Sequence, residues 1–163
     1  MAKELEELPV LRLAETVADD IWRQVVMWEE FARDVVGKQL TRAVDSIGAN
    51  VAESYGRFHY GEKINHLYYA RGRLFETKCW LNRCQARGLL APTQGQEYAD
   101  RLSEIARQIN GFANHLKTQR AGSSASGRTV REPTSQYSVG SDEPGAIFTE
   151  TDLAWLQSST INL

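Results

Sequence analysis

Residues 98–116 read YADRLSEIARQINGFANHL, and the spacing of their apolar members decides the fold class. Tyr98, Leu102, Ile105, Ala106, Ile109, Phe112, Ala113 and Leu116 recur every three or four positions, with charged and amide side chains between them. A 3.6-residue period gathers the first set on one face of a helix and sends the second to water, whereas a half-buried strand requires strict alternation. Thr93 and Gln96, three apart just upstream, have the spacing of a capping box and are expected to start this helix.

The same period recurs three times toward the N-terminus. Leu13, Ala14, Val17, Ala18, Ile21 and Val25 form one stripe, and Pro9 stands where a first helical turn tolerates proline. Val36, Leu40, Ala43, Val44, Ile47 and Val51 form a second, with Asp34 as expected N-cap and Gly56 as terminator; the connection before it falls around Trp28 to Arg33. A third helix runs from about Gly61 to Arg87 with Ile64, Leu67, Tyr68, Leu74, Phe75 and Leu81 on its apolar face, and Gly88 stops it. Short connections force successive helices to run alternately up and down, because parallel neighbours require long crossovers. The chain is therefore expected to be all-α: an antiparallel up-and-down four-helix bundle over residues 8–119.

From Ala121 the helical periodicity gives way to Gly, Ser, Thr and Pro, so residues 120–163 are expected to be a flexible polar tail. Its end differs. Ile147, Phe148, Leu153, Trp155, Leu156, Ile161 and Leu163 concentrate large apolar side chains there, with Asp152 able to cap a short helical turn. Exposed apolar residues of this size seek a surface. Folding back onto the protein's own bundle or a neighbouring subunit, and docking on a separate partner, both remain open.

The formal net charge of −2 is unevenly distributed. Residues 1–34 hold four basic and nine acidic side chains, net −5, whereas residues 38–87 hold nine basic and four acidic, net +5. Such asymmetry permits a polyanion partner, but an acidic first helix beside a basic third would also simply stabilise the bundle. No segment approaches the roughly 18 consecutive apolar residues of a membrane span, and the acidic start lacks the order of a signal peptide. A cytoplasmic protein is expected. Cys79 and Cys84, five apart on a helix, face different directions, so buried or half-buried thiols are expected rather than a disulfide.

Catalytic patterns do not emerge. His59, His66 and His115 lack a second His or Cys at helical metal spacing, so no metal or cofactor is expected. The glycines at 48, 56, 61 and 72 have neither P-loop nor dinucleotide spacing, and Ser and Cys lack a nucleophile signature. Asn50 and Glu53 lie near the second apolar stripe, and Arg71 and Glu76 interrupt the third; an interhelical polar network in which Glu53 or Glu76 meets Arg71 is expected. Arg42, Arg57, Lys63, Arg71, Arg73, Lys78, Arg83 and Arg87 form a basic set, interleaved with Tyr55, Phe58, His59, Tyr60, Tyr68 and Tyr69, suited to contacting RNA or DNA, since guanidinium groups grip phosphates and rings stack on bases; the seven other than Lys78 are the candidates. Solvated helix faces carry the same residue types.

The run Gln39-Leu-Thr-Arg-Ala-Val-Asp-Ser-Ile-Gly-Ala-Asn-Val-Ala-Glu-Ser-Tyr-Gly-Arg57, followed by Tyr69-Ala-Arg-Gly-Arg-Leu-Phe-Glu-Thr77, resembles the four-helix bundle proteins encoded in intervening sequences of bacterial 23S ribosomal RNA genes. Their relatives include the accessory variability determinants of diversity-generating retroelements. The resemblance spans about Leu8 to Leu116. It implies a homopentameric ring without enzyme activity, with basic surface for nucleic acid and, in the retroelement branch, for a reverse transcriptase. Ser54, Gly48, Arg73 and Thr41 stand where such proteins more often have glycine, proline, serine and arginine. The functional expectation is a non-enzymatic nucleic-acid-binding or accessory scaffold. The alternative is an adaptor whose tail, through Ile147, Phe148, Leu153, Trp155 and Leu156, docks on a partner such as a reverse transcriptase or a defence enzyme.

Overall fold

In the computed structural model, which describes residues 5–125 and 146–158, the apolar stripes become helices, and no strand occurs among the described residues. Helix α1 spans Pro9–Val25, α2 Lys38–Gly56, α3 Tyr60–Ala86, α4 Pro92–Ala125 and α5 Glu150–Gln157. Helix α1 packs mainly against α2 and α4, α2 against α3, and α3 against α4, while α5 lies on α4. Val17, Val44, Ile47, Leu67, Leu74, Leu102, Ile105 and Ile109 meet in the middle with no exposed surface. Each such side chain contributes roughly 1.5–3 kcal/mol by leaving water. The flexible tail expected from residue 120 starts later, since residues 120–125 continue α4; the remainder of the polar tether, 126–145, and the last residues, Ile161 and Leu163, lie outside the described residues.

Specific contacts fix the register. The amide of Gln94, in the first turn of α4, reaches Gln24 near the end of α1 at 3.2 Å, and Arg101 reaches Asp20 at 2.7 Å. Gly37 abuts Val25, whereas Gly48 lies beside Leu11 and Ala14, so α2 retreats along α1 as the sequence advances. At the α2–α3 turn the Ser54 hydroxyl donates to the Lys63 carbonyl (2.7 Å) and the Lys63 ammonium donates to the Tyr55 carbonyl (2.9 Å). Helix α3 ends in a Schellman motif. Gly88 adopts φ +71°, Gly88 N–H bonds Gln85 O, and Leu89 N–H bonds Cys84 O.

Four local expectations are corrected. Asp34 caps nothing: the chain is already helical from Glu30–Ala32 and passes through a π-helical turn, Arg33–Gly37, so Asp34 lies inside a helical run and pairs with Lys38 at 3.2 Å. Thr93 and Gln96 do not form a capping box. Pro92, with its preset φ, starts α4 earlier, and the Gln94 side chain accepts from Ala91 N–H at 3.1 Å instead. Tyr68 is 41% exposed, because the buried stripe of α3 runs through Leu67, Ala70, Leu74, Leu81 and Cys84 and Tyr68 sits about 100° round from Leu67. At α5 the cap is Thr149, whose hydroxyl accepts from Asp152 N–H, and Asp152 answers by accepting from Thr149 N–H. A fifth, that the thiols are buried or half-buried, holds for Cys84 but not for Cys79, which is exposed, since five positions on a helix turn the two thiols apart.

Candidate nucleic-acid interface

The charge asymmetry becomes a spatial one because of the packing order. Acidic α1 does not stand beside basic α3 as one expectation had it; it packs on α2 and α4, and α3 lies across the core from it. Glu6, Glu15, Asp19 and Asp45 line a cleft between α1 and α2. Burial, and then the neighbouring Asp19, push the Asp45 carboxyl above the usual range. Among the described residues no group of His, Cys, Asp or Glu side chains is assembled to hold a metal ion.

The seven candidate cations divide by what they touch. Arg42 on α2 and Arg83 and Arg87 at the end of α3 are exposed, and no described acidic side chain pairs with them. Arg57 stands 4.0 Å from Glu53, and Arg73 pairs with Glu76 at 2.6 Å, both along their own helix and both partly exposed. Such surface pairs are worth about 0–1 kcal/mol and yield readily to a phosphate. Lys63 is committed to the α2 terminus, and partial burial lowers its affinity for a proton. Phe58 and Tyr69 are 84% and 61% exposed, so with Tyr68 three rings of the aromatic set face solvent near these cations in sequence.

The expected network of Asn50, Glu53, Arg71 and Glu76 does not form. Asn50 donates to the Ser46 carbonyl of its own helix at 2.7 Å, Glu76 is taken by Arg73, and Glu53 faces His66, whose Nδ1 comes within 2.8 Å without hydrogen-bond alignment. Arg71 instead crosses to Asp152 at 3.1 Å, 81 positions away in sequence, and its guanidinium lies 4.6 Å over the Phe75 ring. A partner so distant leaves no spacing signal in the sequence.

The C-terminal segment is seated on the chain's own helices. Ile147, Phe148, Leu153 and Leu156 are buried, and the Trp155 ring stacks on Phe75 at 5.1 Å. Asn110 grips the Phe148 backbone from both sides, accepting from its N–H at 2.7 Å and donating to its carbonyl at 2.8 Å. Lys78, only 2% exposed, donates to Ser158 O at 2.5 Å, and Gln96 donates to Gln157 O at 2.9 Å. Asn110 was not singled out in the sequence, and Lys78 stood there only as one member of the basic set; neither spacing nor motif marks a residue whose role is to receive a distant segment. Burial pushes the Asp152 carboxyl up, but hydrogen bonds from Thr149 and Arg71 outweigh it and hold the group below the usual carboxylate range.

Around the α1–α2 turn, Trp22, Val26, Met27, Phe31 and Val35 are 40–81% exposed. Apolar side chains gathered at one end in this way are typical of association surfaces. No helix among the described residues is long and apolar enough to cross a membrane.

No curated protein and no solved structure matches the chain. The model of one family, described as the 23S rRNA-intervening sequence protein, matches residues 6–111. That span takes in α1, α2, α3 and most of α4, together with both sequence runs that carry the resemblance, and the chain belongs to this family.

Proposed function

We propose that this protein is a non-enzymatic, oligomeric scaffold of the cytoplasm, built on an antiparallel four-helix bundle, that binds structured nucleic acid through the exposed face of α2 and α3. The bundle reading rests on the cyclic packing of the four long helices and on the pairing of the end of α1 with the start of α4. The observation that carries the function is the set Arg42, Arg83 and Arg87, exposed and unpaired among the described residues, the latter two on α3, across the core from the acidic helix. Arginines free of carboxylate partners are available to phosphates, and the acidic surface of α1 repels an incoming polyanion and so favours approach from the basic side. Assembly into a homopentamer is proposed from the family resemblance and from the apolar end formed by Trp22, Met27, Phe31 and Val35, which a neighbouring copy would cover.

Fluorescence anisotropy with a structured RNA and a duplex DNA, titrated between 50 and 200 mM salt, tests the reading. The wild-type protein is expected to bind with a steep salt dependence, and an R42A/R83A/R87A variant to lose affinity and up to about three units of the log–log slope. Absence of salt-sensitive binding to either probe would reject it. The adaptor alternative has less to draw on, since Ile147, Phe148, Leu153 and Leu156 are already occupied against the chain's own helices.

A further inference from the structure

We infer that the groove between α3 and α4 is a second nucleic-acid site, for single strands, and that the C-terminal segment 147–158 occupies it as a mimic of that ligand. The inference rests on the nucleic-acid reading above, but on different residues. Arg71, Phe75 and Lys78 stand at i, i+4 and i+7 on one face of α3, so cation, ring and cation follow one another over about 10 Å. Alternating positive charge and stacking surface is how single strands are held without reading their sequence. Each element of this surface is met by the segment with a group of the matching kind. The Asp152 carboxylate takes Arg71 as a phosphate would, and the Trp155 indole lies nearly parallel to Phe75, at 13°, as a base would. Asn110, on the facing helix, offers its amide to a donor and an acceptor side by side, both on Phe148. That is the pairing by which asparagine recognises the edge of adenine.

Lys78 supports the same conclusion. A lysine buried beneath a segment of its own chain carries a desolvation cost that a methionine of similar length avoids. Burial does depress its proton affinity, although Asp100 nearby opposes the effect. The residue suits a site that is open to water and phosphate in part of its working cycle.

The test uses the full chain and a fluorescein-labelled 20-nucleotide oligo(A) RNA as probe. A D152A/W155A variant, which removes the carboxylate and the indole, is expected to bind the probe about tenfold or more tightly than wild type, because a site occluded most of the time loses apparent affinity in proportion to its open fraction. Adding R71A or F75A to that variant is expected to abolish the gain. Hydrogen exchange on the wild-type protein provides a measurement that needs no variant: amides of 147–158 are expected to lose protection at saturating probe. If D152A/W155A binds no tighter, or the segment's protection is unchanged or raised by probe, the inference is overturned. Should that happen while wild type still binds structured RNA or DNA in an R42A/R83A/R87A-sensitive manner, only the masking idea falls. If no form of the protein binds any probe, both fail.

Discussion

Replacing Gly37 by alanine probes the tight approach of the π-helical turn to the end of α1. A Cβ built at Gly37 would stand 2.5 Å from Val25 Cγ1 and 3.7 Å from Trp28 Cε3. Val25 is buried, and a β-branched side chain on a helix has essentially one χ1 well, so its methyl cannot swing aside. Overpacking of this kind costs roughly 1–3 kcal/mol, against which better helix propensity returns about 0.5–1 kcal/mol. The net expectation is a loss of about 1–2 kcal/mol. At Gly48, eleven positions further along the same helical run, the added carbon would meet Leu11 Cδ1 at 3.6 Å and Ala14 Cβ at 3.8 Å, ordinary contact distances. G48A is therefore expected to be neutral or to stabilise by up to about 1 kcal/mol. Urea unfolding at one fixed protein concentration measures both, and the G37A midpoint should fall by about 0.5–1 M. In a V25A background, where the obstructing methyl is gone, G37A should cost nothing, giving a coupling of about 1–2 kcal/mol in the double-mutant cycle. Equal effects of G37A in the two backgrounds, or opposite signs for the two glycines from those stated, would refute the packing argument.

Phe148, 1% exposed, resembles a core residue whose truncation ordinarily costs about 3–5 kcal/mol, yet it holds only the C-terminal segment. F148A should therefore raise exchange of residues 147–158 to free-chain rates and leave core amides of α1 to α4 protected; a cooperative loss across all helices would contradict this. The lowered Asp152 carboxyl gives docking a pH dependence of known sign: a folded value beneath the unfolded one, about 3.9, means full stabilisation above that pH and loss as the pH falls through the folded value. Segment protection compared at pH 5 and pH 3 should fall in wild type and change less in D152N; identical profiles would exclude Asp152 as the cause. Burial drives the Cys84 thiol up to about 12, whereas Cys79 is exposed. Mass spectrometry after brief native alkylation at pH 8 should find one adduct, on Cys79, and equal labelling of the two would be at odds with the packing of α3.

Local periodicity carried most of the helix content. Stripes such as Leu102, Ile105, Ile109 and Leu116 repeat within a few residues, so their burial could be read directly from spacing, and Gly88 announced a left-handed position that the Schellman turn uses. Helix starts were less legible. Asp34 and Thr93 are good caps by type, but the π-helical turn through Gly37 and the early start at Pro92 follow from how close α1 approaches and from proline's preset φ. The candidate cations Arg42, Arg83 and Arg87 were recognisable by charge, yet nothing in the chain order separates them from Lys63 and Arg71, which are engaged elsewhere.

By itself, then, the sequence determined that the chain is helical, where its apolar faces lie, that acidic and basic stretches follow one another, and to which family it belongs, because each of these depends on residues near one another along the chain. Only the tertiary structure decided that α1 and α3 lie across the core from each other, that Arg71 meets Asp152 rather than Glu53 or Glu76, and that Lys78 and Asn110 receive the C-terminal segment. Those contacts join positions 38 to 81 residues apart. Their partners are selected by the packing of whole helices, which no local pattern encodes.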